Sequence, residues 1–192
     1  MTIQLLRAGD RQATPWKNGG GVTREIAAFP PGADLDTFDW RVSMASVIAG
    51  GPFSIFPGVE RVLSVLEGEL ILIFEGGPTL KLTAETDPAA FAGDIAVVAQ
   101  TPSGAVTDLN VMARRGRVRA RVRKLHAAPS IALTAGQATL ILSLSPGVRV
   151  WHGDARNGLE RHDAALFQGA EGDAIDLAAG NPATIFQIDF WS

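Results

Sequence analysis

The 192-residue sequence contains no cysteine, so disulfides, thiolate chemistry and cysteine-based zinc sites are all excluded. That absence fits a reducing compartment. Histidine is scarce: His126, His152 and His162 are the only three, and all lie in the second half of the chain. No apolar run approaches the roughly 20 residues of a membrane-spanning helix. The densest, Leu70–Phe74, stops at Glu75, Gly76 and Gly77. The opening residues, MTIQLLRAGDRQ, lack the basic start and apolar stretch of a signal peptide. No segment of ten or more residues carries a clean i, i+3, i+4, i+7 apolar stripe, so any helix is short. Together these absences predict a soluble, cytoplasmic protein with no membrane partner.

Glycine and proline, by contrast, are plentiful at 21 and 11 residues. They cut the chain into short alternating or β-branched segments, among them Val22–Ala28, Trp40–Val47, Val62–Leu66, Leu70–Phe74, Ile95–Ala99, Leu109–Met112, Val118–Leu125, Thr139–Leu144 and Thr184–Phe190. Strands at such spacing predict an all-β, antiparallel sandwich or barrel. A content of 46% hydrophobic and 19% charged residues is that of a folded globular chain. Val62–Leu66 and Leu70–Phe74, joined by Glu67-Gly68-Glu69, read as a tight hairpin. The layout of strand, turn, strand and Gly-Asp turn recurs later, at Ala138–Leu144, Pro146-Gly147, Val148–Trp151 and Gly172-Asp173. It suggests a duplicated β module.

Charge is concentrated in one place. Arg114–Lys124 holds seven of the 17 basic residues. Arg115, Arg117, Arg119, Arg121 and Arg123 are spaced by two, as on one face of a strand. A phosphate-binding stripe is one reading. A solvated strand face that meets acidic neighbours is the better one, because the net charge is -3 and the run contains no aromatic residue. No nucleic-acid partner is therefore expected.

The most informative stretch is Pro15–Glu25, PWKNGGGVTRE, which sets Lys17, Asn18 and Arg24 around Gly19, Gly20 and Gly21. Backbone N–H groups of a glycine-rich turn, with two cations and an amide, make a candidate anion site. Three further blocks stand out: Trp40-Arg41-Val-Ser43-Met-Ala-Ser46-Val, Gly51-Pro-Phe-Ser54-Ile-Phe-Pro57-Gly58-Val-Glu-Arg61, and Asp108-Leu-Asn110-Val-Met-Ala-Arg114-Arg115-Gly116. Taken together, these blocks closely resemble the HutD/Ves family over about residues 15 to 116. The resemblance implies a bicupin of two small antiparallel β-barrels, divided at residues 1–116 and 117–192. The two halves would form one compact unit, with N-terminal strands free to pack on the other half. It implies an association with bacterial histidine utilisation, moderating that pathway rather than catalysing a known step. The Ves branch implies a link to environmental stress. A homodimer is compatible with the resemblance.

Metal-binding cupins use an HxH…E motif and a later histidine, and this chain departs from that pattern. Neither Glu60–Gly68 nor Gly93–Asn110 contains a histidine. His152 with Asp154, or His162 with Asp163, could begin a metal site, but no cluster completes one. A metal-free protein with no cofactor is expected. The ligand site is then assigned to Lys17, Asn18, Arg24, Arg41, Ser43, Phe53, Ser54, Arg61 and Asn110. Arg61 and Arg24 would clamp a carboxylate, Lys17 would add a point charge, and Asn18, Ser43 and Ser54 would hold an amide or formyl group. In view of the resemblance, the partner is a small anionic metabolite of the urocanate, formiminoglutamate or formylglutamate class. The rival is a metal-independent acid–base enzyme on a small carboxylic acid, with Glu25 or Glu60 as base.

Overall fold

The computed structural model describes residues 2–126, 129–134, 136–152, 155–168, 173–180 and 183–192. Among them there is no α-helix; one 3-10 turn spans Ala8–Asp10. No helix is long and apolar enough to cross a membrane. The chain divides into two units. One comprises residues 11–118; the other joins the first strand, β1 (Thr2–Leu6), to the chain from residue 119 onward.

The 11–118 unit begins with β2 (Ala13–Pro15), β3 (Gly21–Phe29), β4 (Trp40–Val47) and β5 (Gly51–Pro52). It continues through β6 (Val59–Glu67), β7 (Glu69–Phe74), β8 (Thr79–Thr83), β9 (Ala89–Ala92), β10 (Val97–Gln100) and β11 (Val106–Arg114). These build a six-stranded sheet, β2-β3-β4-β11-β6-β9, and a four-stranded sheet, β5-β10-β7-β8, with every pairing antiparallel. A core lies between them, with Ala45, Val47, Leu63, Val65, Phe91 and Val106 from the first sheet meeting Leu70, Leu72, Phe74, Leu82, Val97 and Ala99 from the second.

The second unit contains β12 (Arg119–Leu125), β13 (Ile131–Ala132), β14 (Ala138–Ser143), β15 (Val148–His152), β16 (Ala155–Leu159), β17 (Ala164–Gln168), β18 (Ala174–Ala178) and β19 (Ile185–Trp191). Its sheets are β1-β17-β14-β19-β12 and β13-β18-β15-β16. Ile141, Ala165, Phe167 and Ile185 of one pack with Val148, Val150, Ile175 and Leu177 of the other. The pairing repeats that of the first unit. β19 lies between β12 and β14 as β11 lies between β4 and β6, and β14 pairs with β17 as β6 pairs with β9. The duplication is thus one of topology.

Two expectations are corrected here. The sheets are not closed into barrels, so the bicupin expectation of two small barrels does not hold. Each unit is a pair of open antiparallel sheets packed face to face. The second correction supplies part of the reason. β6 and β7 do not form a hairpin: β6 pairs with β11 and β9, while β7 pairs with β10 and β8. Gly68 therefore turns the chain from one sheet into the other. It sits at φ +87, and a Cβ there would meet the Ala105 carbonyl oxygen at 2.8 Å. The Ala164–Gln168 strand escapes sequence reading because all but its last residue are buried, which removes the alternation that marks a half-exposed strand.

Gly68→Ala should cost more than about 2 kcal/mol in urea unfolding, since a left-handed alanine costs roughly 1–2 kcal/mol before any contact is counted. Gly116→Ala, at φ +78 with nothing within 4 Å of the added atom, should cost only that strain. Equal losses in the two variants would show that the Ala105 contact does not constrain the corner.

Candidate functional site

Strand alternation places one set of side chains on the inner face of the six-stranded sheet, the face that meets the four-stranded sheet. Three adjacent cross-strand rows of that face carry its polar groups. The first runs Ala28, Arg41, Met112, Arg61, Phe91; the second Glu25, Ser43, Asn110, Leu63, Ala89; the third Thr23, Ala45, Asp108, Val65. Met112 of the first row forms a small apolar cluster with Phe38 and Val59, joined by Phe56.

Arg61 is the centre of this face. It is 6% exposed, and no carboxylate of a described residue lies within ion-pair distance. Its guanidinium carbon instead lies 4.9 Å from the Phe53 ring centroid, 5.2 Å from Phe91 and 5.7 Å from Phe56. Its Nε donates to Asn110 Oδ1 at a long 3.4 Å. The rings are held by backbone contacts: Phe53 N–H donates to the Val97 carbonyl and Phe56 N–H to the Gly93 carbonyl. Gly93 permits that approach, since a Cβ there would meet the Phe56 and Val59 carbonyl oxygens at 2.9 Å.

Arg41 shares the first row but is engaged. Its Nε donates to Glu25 Oε2 at 2.7 Å and its Nη1 to Ser43 Oγ at 3.3 Å. The structure therefore gathers Arg41, Ser43, Arg61, Asn110 and Phe53 on or against one face. Arg24 stands opposite Met44 and Ala13, so it points to the other side of the sheet and cannot clamp a ligand together with Arg61. Ser54 is exposed. Lys17 and Asn18 lie exposed in the turn between β2 and β3. Two amides of that turn are already used: Gly19 N–H donates to the Trp16 carbonyl and Gly20 N–H to Asn18 Oδ1. The Trp16 indole donates to Thr23 Oγ1, which makes this motif a packed hairpin rather than an anion cradle.

Asp108, in the third row, was not singled out from the sequence. It is 3% exposed, and its Oδ1 has no hydrogen-bond partner. Burial pushes its carboxyl up to about 7, with the Arg61 charge opposing the rise. Burial likewise lowers Arg61 to about 10, opposed by Asp108. The i, i+2 spacing of Asp108 and Asn110 was the available signal, because it puts both on one strand face.

The corresponding strand of the other unit carries Asp189, which is fully buried but satisfied. It accepts from Thr139 Oγ1 at 2.9 Å, from Gln187 Nε2 at 3.0 Å and from Arg123 Nη2 at 3.2 Å. Four residues of the arginine run are spent in the same way. Arg115 pairs with Glu60 and Asp94, Arg117 with Asp39, and Arg121 and Arg123 with Asp189. Arg115 and Arg117 lie in the turn before β12, so they do not share its face. Among the described residues no group of three or more His, Asp or Glu could hold a metal ion. Asp163 is bound by Arg7 and the Ala8 amide, and His152 faces Asp173 at 3.1 Å. Asp154 and Gly172 lie outside the described residues.

A family model described as HutD matches residues 8–186. Protein Ves of Citrobacter koseri is 48% identical over 110 residues, 56% of this chain and 56% of its own length. An uncharacterised 21.2 kDa protein in the hutC 3′ region of Pseudomonas putida is 41% identical over 122 residues, 63% of each chain. The matched region thus spans less than two thirds of these curated relatives. The solved structure of HutD from Pseudomonas fluorescens SBW25, in a formate condition, superposes with a TM-score of 0.86 at 31% identity, covering 99% of this chain and 98% of that one.

The Asp108 titration has a defined sign. Its folded-state value lies above the unfolded value of 3.8, so the folded protein holds the proton longer. The associated stability is complete below about pH 4 and is lost as pH rises toward 7. Across that window wild type should lose about 4 kcal/mol relative to Asp108→Asn in urea unfolding, at 1.36 kcal/mol per unit. Parallel pH profiles would refute the linkage.

Proposed function

Because the chain belongs to the HutD family, which is linked to histidine utilisation, we propose that the Arg61 face binds a small carboxylate of histidine breakdown and that the protein moderates that pathway by binding rather than by turnover. The observation that carries this reading is the state of Arg61, a buried guanidinium with three aromatic neighbours and, among the described residues, no carboxylate within ion-pair distance. Burying a charge costs several kcal/mol unless it is paired, and cation–π contacts return only about 0.5–2 kcal/mol each. A ligand carboxylate completes the pairing, with bidentate geometry that suits a guanidinium fork. Asn110 and Ser43 stand in the next row to hold a formyl, formimino or amide group. The formate condition of the Pseudomonas fluorescens HutD structure makes formate, the smallest carboxylate, a natural first probe.

A second reading, acid–base chemistry on such an acid, draws on Asp108. Glu25 and Glu60 are each engaged by an arginine and largely open to solvent, whereas Asp108 titrates near 7, where proton transfer is efficient. Turnover of a bound acid, lost in Asp108→Asn, is the result that would favour it.

Arg61→Met keeps an unbranched apolar stem and removes the charge. It should weaken carboxylate binding ten- to a hundredfold, given about 1.5–3 kcal/mol for a charge-assisted contact. Calorimetry with urocanate, formylglutamate, formiminoglutamate and formate, with acetate as control, measures this. Affinities unchanged by the substitution would remove Arg61 from the site.

A further inference from the structure

The site has a second pole. Asp108 lies two residues from Asn110 on β11, between Ala45 and Val65 of the flanking strands. A buried acceptor left unpaired is destabilising, and an apolar residue of similar shape would remove that cost. The chain nevertheless places a carboxyl there, with Oδ1 buried and unpartnered.

No described neighbour supplies the missing donor. The charged groups on this face are Glu25 of β3, Arg41 of β4 and Arg61 of β6. Glu25 and Arg41 bind each other, and Arg61 acts on Asp108 through space without a hydrogen bond. Across the core the four-stranded sheet presents Leu70, Leu72, Val97 and Ala99, which carry no side-chain donor. At the corresponding strand of the other unit, Asp189 receives its donors from the protein itself. The two polar clusters therefore differ in their satisfaction: that of Asp189 is closed, and that of Asp108 lacks a donor.

We propose that Asp108 is a ligand-binding residue, accepting a hydrogen bond from an N–H or O–H group of the same small molecule whose carboxylate Arg61 holds. This rests on the carboxylate reading above and narrows it: the site selects acids that carry a donor at a set distance. The Arg61 guanidinium is drawn to the Asn110 row. Asp108 is one same-face step further along the strand, about 7 Å. A short acid bearing a nitrogen heterocycle or an amide N–H spans that gap.

Two isosteric acids test the assignment by calorimetry at pH 7.5: 3-(1H-pyrrol-3-yl)propanoate, which has an N–H, and 3-(furan-3-yl)propanoate, which has an oxygen in its place. Wild type should prefer the pyrrole acid at least tenfold. In Asp108→Val the preference should fall below about twofold, while Arg61→Met weakens both acids. Asp108→Asn retains an acceptor oxygen and should keep part of the preference, which covers the case in which the valine variant does not fold. Equal, Arg61-dependent binding of the two acids to wild type overturns this inference alone. A preference that survives in Asp108→Val does the same. No binding of either acid overturns the carboxylate reading and the donor requirement together.

Discussion

A guanidinium shielded from water must be offset somewhere, and at Arg61 the surrounding unit is arranged to do so. Phe91 comes from the neighbouring strand, opposite Arg61 in register. Phe53 and Phe56 come from the segment between β5 and β6, fastened by their amides to residues 93 and 97. Asn110 reaches across from β11. Each partner sits on a different stretch of chain, so the charge is accommodated only when both sheets and the connecting segment are in place. The compensation is also incomplete, because ring faces and one long hydrogen bond do not neutralise a cation. That residual deficit is the ground on which a ligand carboxylate is proposed.

The repeated topology gives an internal comparison that a single module would not offer. Both units place an aspartate on the strand that lies between two neighbours in the longer sheet. Asp189 is locked by a hydroxyl, an amide and a guanidinium, a network in which every group is satisfied and nothing is left to recognise. Asp108 has an unpartnered oxygen and a cation that interacts with it only at a distance. The corresponding strand therefore carries a satisfied aspartate in one unit and an unsatisfied one in the other. Membership of a family does not by itself select between these two faces, since fold and function are separable; hydrogen-bond satisfaction does.

Much was legible in the residues alone. Glycine and proline punctuation with short β-branched runs specified an all-β chain, and recurrence of the turn pattern matched a duplicated strand topology. Alternation along Trp40–Val47 was enough to put Arg41 and Ser43 on one face. The excess of acidic over basic residues outside Arg114–Lys124 foreshadowed the ion pairs that occupy most of that run. Local signals of this kind follow from backbone geometry and short-range sterics, which each segment carries with it.

The choice of partner was not local. Whether Gly68 closes a hairpin or turns a corner depends on β7 pairing with β10 and β8, and on the Ala105 carbonyl that crowds it. Whether Arg24 joins Arg61 depends on the register of β3 against β4. Arg24 and Arg61 look alike as letters beside a glycine motif, yet one faces away and the other is buried among rings. Asp108 is an ordinary strand aspartate until β4, β6 and the opposing sheet remove its water and supply no donor. Composition and periodicity therefore established most of the strands and the faces of the half-exposed ones. Burial, pairing and unsatisfied hydrogen bonds, which decide where chemistry can occur, arise only when segments far apart in sequence come together.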